Sequence, residues 1–66
     1  MSDIIIEKLL EQRDFYLNTL KQLEFQLVMD PTENELKEIE KLQTTTVEQL
    51  KKVEQEIAYL NSKESS

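Results

Sequence analysis

Asp30-Pro31-Thr32-Glu33-Asn34-Glu35 holds the only proline of a 66-residue chain that contains no glycine. Proline has no backbone N–H to donate and pushes the residue before it away from helical dihedrals, so a helix arriving at Asp30 is expected to end there. The same stretch carries two signals for starting a new helix. Asp30 can serve as N-cap with Pro31 at the first helical position and Glu33 three residues on, or Thr32 can serve as N-cap with Glu35 three residues on. Both have the spacing of a capping box, in which side chains and backbone N–H groups satisfy one another reciprocally. A stop followed at once by a start divides the chain into two arms. A continuous helix kinked at Pro31 is the rival arrangement, and the stacked capping signals favour a true break over a kink.

On both sides of this break the composition is that of long helices, with 33% of residues charged and Leu, Glu, Gln and Lys prominent. The first arm is predicted to be helical over about 3–29, with Ser2 or Asp3 as N-cap, and the turn to occupy about 30–33. The second helix is predicted over about 33–61, followed by a tail, 62–66, that offers nothing to bury and is expected to fray.

The apolar spacing then decides how the arms meet. In the second arm Leu36, Ile39, Gln43, Thr46, Leu50, Val53, Ile57 and Leu60 alternate steps of three and four, a heptad seam that predicts left-handed supercoiling against another helix. The first arm repeats the alternation through Ile6, Leu9, Arg13, Tyr16, Leu20, Leu23 and Leu27, widened by Ile5, Leu10, Leu17 and Val28. Folding the arms together pairs residues whose numbers sum to about 66, for example Leu9 with Ile57 and Leu27 with Ile39. The expected fold is therefore all-α, an antiparallel two-helix hairpin of coiled-coil type. A core this small is marginal by itself, and no cysteine is present to staple it. Completion to a four-helix bundle, by self-association or with another protein, is expected.

Two groups of residues stand out from this pattern. Arg13 and Gln43 are polar residues on the seams, facing Val53 and Leu23 in the proposed register, and polar seam residues can fix register or oligomeric state. An ordinary reading of Arg13 is that its stem covers apolar surface while its head reaches a carboxylate such as Glu54 or Glu56. Ile4, Phe15, Phe25 and Met29 fall within a sector of about 80° on the helical wheel, nearly opposite the first arm's main stripe. They are expected to form a second interface, for a partner or another copy of the chain, although scattered surface hydrophobes are common.

Other features exclude function classes. The net charge of −6 opposes phosphate backbones and anionic lipid, so neither nucleic acid nor membrane is expected as a partner. In size and two-helix architecture the chain is similar to the small plasmid proteins that organise RNA with helical hairpins. Its seven lysines, however, do not gather on one face beside an aromatic. No apolar run exceeds four residues, which provides neither a membrane span nor the core of a secretion signal, and an intracellular soluble protein of cytoplasm or nucleus is expected. Without His or Cys, and with serines only at 2, 62, 65 and 66, catalysis has little to work with, and no cofactor is implied. The carboxylates Glu33, Glu35, Glu38 and Glu40 suit the positive end of a helix better than a metal. The run Thr44-Thr45-Thr46 is a stretch of low helix propensity that tertiary packing commonly overrides.

The expected role is that of a non-enzymatic structural or adaptor protein, associating through helix–helix packing as a homo-oligomer or as a subunit of a larger assembly. The alternative is an acidic hairpin regulator that binds and blocks a signalling or nucleic-acid-binding protein.

Overall fold

The structure, a computed structural model, describes residues 2–65. It consists of two helices packed against each other, α1 (Ser2–Val28) and α2 (Glu33–Ser65). The chain reverses direction where proline and the caps lie in the sequence. At the end of α1 the Met29 N–H donates to the Gln26 carbonyl at 3.1 Å, tightening the last turn, and Asp30 then adopts φ 57°, the left-handed conformation usually given to glycine. Asp30 therefore closes α1 rather than capping α2.

Thr32 is the N-cap. Its Oγ1 accepts from the Glu35 N–H at 3.2 Å and donates to Glu35 Oε1 at 3.0 Å, while the Thr32 N–H donates to Glu35 Oε1 at 3.4 Å. The Thr32 carbonyl accepts the first helical bond, from Leu36 N–H at 2.8 Å. Of the two capping boxes open in the sequence, the Thr32–Glu35 pair is the one that forms.

The hairpin is a rod, 50 × 14 × 13 Å, and its length is that of α2 at about 1.5 Å per residue. Its radius of gyration is 15.2 Å, against about 11 Å for a compact domain of this length. A narrow core of Leu9, Leu23, Ile39, Val53, Ile57 and Thr46 runs along the contact. Leu9, Val53 and Ile57 form one cluster, joined by Leu10, Tyr16 and Leu60. The remaining seam residues Ile6, Leu20, Leu27 and Leu50 are half-buried.

Two expectations are corrected. Leu36, placed on the seam, is 37% exposed, because in the antiparallel register it lies opposite residue 30, where α1 has already ended. The tail predicted to fray from residue 62 is helical through Ser65, while Ser66 lies outside the described residues. With no glycine or proline beyond Pro31, nothing supplies a C-terminal stop, and Lys63 in the last turn suits the negative end of the macrodipole. The expected cap from the Ser2 side chain lies outside the described residues; Asp3 is the acid of the first turn.

The accessible surface is 5591 Å². A compact monomer of 7.8 kDa exposes about 4,400 Å², and its extended chain about 11,300 Å², so the hairpin buries roughly half of its surface where about 60% is usual at this size. No helix among the described residues is long and apolar enough to cross a membrane.

The turn chemistry sets opposite expectations for two substitutions. Asp30→Gly removes the left-handed penalty on a side chain and should stabilise the fold by about 0.5–1 kcal/mol, whereas Thr32→Ala removes the cap and should cost about 1 kcal/mol. Urea unfolding of the two variants checks both. A glycine variant no more stable than the parent would contradict the strain assigned to Asp30.

Candidate functional site

Residues 3.6 positions apart per turn give α1 two distinct long faces. One faces α2. The other carries Ile4, Phe15 and Phe25, and Met29 continues it just past the end of α1; the four are exposed at 62%, 64%, 66% and 68%. They form a line and not a compact cluster, since Ile4 and Met29 are separated by about 38 Å of helix. Phe15, Phe25 and Met29 occupy its C-terminal half, and the polar positions between them at the same spacing are Asn18 and Gln22, both exposed and uncharged.

Phe15 touches a residue of the core edge. Its ring meets Tyr16 edge-on, with centroids 5.6 Å apart and planes at 68°, and Tyr16 packs on the Leu9–Val53–Ile57 cluster. The Thr19 hydroxyl donates to the Phe15 carbonyl at 2.9 Å, which satisfies a polar side chain inside the helix without a partner from α2. Thr44 does the same with the Glu40 carbonyl at 3.0 Å. Of the threonine run, Thr44 and Thr45 are exposed and Thr46 is buried on the seam.

Arg13 and Gln43 are half-buried, as expected of long polar chains at the edge of a seam. Among the described residues no buried side-chain nitrogen or oxygen lacks a hydrogen-bond partner, so these two leave no orphaned polar atom in the core.

A shallow groove of about 360 Å³ lies at the turn end between the helices, lined by Gln26, Met29, Pro31, Glu35, Glu38, Ile39 and Leu42. A second of about 360 Å³ follows α1 along Lys8, Glu11, Gln12, Phe15 and Tyr16. Both are open to solvent, the form of a surface that receives a side chain or a helix rather than a cavity that encloses a small substrate. The first extends the α1 stripe around the turn through Leu42, 53% exposed, which was not singled out in the sequence. Its signal was present in the three-residue step from Ile39, which places an apolar side chain at the edge of the seam. Tyr59, 65% exposed on α2, had no such periodic signal.

The opposite edge of the hairpin, by heptad position, carries Leu10, Leu17 and Val47 together with Glu24, Glu40 and Glu54. Leu17 and Val47 are exposed at 40% and 37%. Glutamates recur there at the same heptad position, so that edge is apolar only in patches. Among the described residues no group of three or more acidic side chains is placed to hold a metal ion.

No protein-family model, no curated protein and no solved structure matches the chain.

If Gln43 sets register, Gln43→Leu should raise stability by on the order of 1 kcal/mol while broadening the distribution of oligomers. Chemical unfolding with sedimentation velocity on the same samples reads both. A stabilised variant with an unchanged mass distribution would leave Gln43 without that role.

Proposed function

We propose that this chain is a non-enzymatic association module, a structural or adaptor subunit that joins proteins through helix–helix packing. Its hairpin is completed to a four-helix assembly by a second copy or by another helical protein. The observation that carries this reading is the exposed aromatic and aliphatic line on the outer face of α1, above all Phe15 and Phe25. Large apolar side chains left exposed along one face mark interfaces in proteins that already have too little to bury. An intracellular setting, cytoplasm or nucleus, belongs to the same reading.

A second reading rests on the exposed carboxylates Glu33, Glu38 and Glu40 in the N-terminal part of α2, and makes the hairpin an acidic regulator that occupies a basic face of its target.

The native mass of the full chain in extracts of cells that express it separates these outcomes. The association module travels well above its 7.8 kDa chain mass. Phe15→Asp with Phe25→Asp returns it to the monomer position, and Glu38→Lys with Glu40→Lys does not. The reverse pattern would favour the regulator, and a parent chain that travels as a monomer would contradict association altogether.

A further inference from the structure

We infer that the outer face of α1 receives a second copy of the same helix, running antiparallel, with Phe15 of each copy against Phe25 of the other. This inference rests on the association reading and names its partner.

The first support is area. The hairpin exposes 5591 Å² against about 4,400 Å² for a compact chain of its mass, an excess of about 1,200 Å², and a stable interface of standard size removes about 800 Å² from each partner. That excess belongs to the whole 50 × 14 × 13 Å rod and is large enough to include the area that one such dimer removes.

The second support is the order of residues along the line. Phe15 and Phe25 are equidistant from position 20, and so are Asn18 and Gln22. An antiparallel pair related by a two-fold axis through that position matches residues whose numbers sum to 40, and it respects the alternation of three and four along the face. The dimer then has a centre of two Asn18–Gln22 amide pairs, flanked on both sides by a Phe15–Phe25 contact. Aromatic contacts supply affinity, and an amide pair at a buried seam position sets the alignment.

Charge selects this face over the other edge of the hairpin. Between Phe15 and Phe25 the line carries no ionisable side chain, although the chain as a whole has net charge −6, and outside that stretch the register sets Met29 of each copy against Glu11 of the other. Self-pairing along the Leu10–Leu17–Val47 edge would bring Glu24, Glu40 and Glu54 of one copy towards those of the other, which is unfavourable.

Sedimentation equilibrium of the purified full chain, with thiol cross-linking of single-cysteine variants, tests the inference. The chain has no cysteine of its own, so each variant carries one reactive site. Lys21→Cys lies beside the two-fold axis, and Lys52→Cys, exposed on α2, lies far from it. Expected are a species of twice the chain mass, rapid joining of Lys21→Cys to itself by a short bis-maleimide, and little joining of Lys52→Cys. Phe15→Asp should abolish both the doubled mass and the cross-link, with circular dichroism reporting whether the variant stays helical. A monomer at all concentrations, or equal cross-linking at the two sites, would overturn the antiparallel dimer. A purified monomer that nevertheless travels at high mass in cell extracts would overturn self-docking alone and leave the association reading standing.

Discussion

The reciprocal cap between Thr32 and Glu35, set against a left-handed Asp30, is the constraint on which the rest of the structure depends. A chain with no glycine reverses direction here by combining three separate devices: a residue type that tolerates positive φ, a proline that cannot continue the preceding ladder, and a cap that begins the next one. Only because this reversal is tight do two heptad seams, each incomplete alone, face each other along their length. Loss of the reversal would leave two apolar stripes with no intramolecular partner.

The reversal makes a core, but a thin one. Among the described residues, five buried aliphatic residues and one buried threonine line a contact between rods whose other faces are wet. Half-burial at Ile6, Leu20, Leu27 and Leu50 is the consequence of having only two helices, since each seam residue is covered from one side and open on the other. The same geometry that forms the hairpin therefore leaves apolar surface over, and much of it lies on α1. On that helix the sequence places two phenylalanines where a solvated face would ordinarily carry Lys, Glu or Gln.

Much of this was legible in the residues. Pro31 and the threonine–glutamate spacing marked the turn, and the steps of three and four marked the faces that meet, because backbone chemistry and helical periodicity are local properties. What was not legible depended on the relation between helices or on a choice among equal local options. Both Asp30–Glu33 and Thr32–Glu35 have capping-box spacing, and only the path of the incoming helix assigns Asp30 to its end. Leu36 keeps perfect seam spacing, yet α1 stops before reaching it. The continuation of α2 to Ser65 reflects the absence of a stop signal, which polar composition alone obscured. The step of three from Ile39 sets Leu42 at the edge of the seam, but the groove it shares with Met29 and Pro31 depends on the path of the turn.

The central claim is that this hairpin reaches its full stability only when a second copy covers its outer face. The most direct measurement is the thermal unfolding midpoint of the purified chain over roughly a hundredfold range of concentration, because a protein stabilised by self-association gains stability by mass action. The midpoint should rise steadily with concentration. A single cooperative transition at the same temperature throughout would show that the two-helix core is sufficient by itself and contradict the claim.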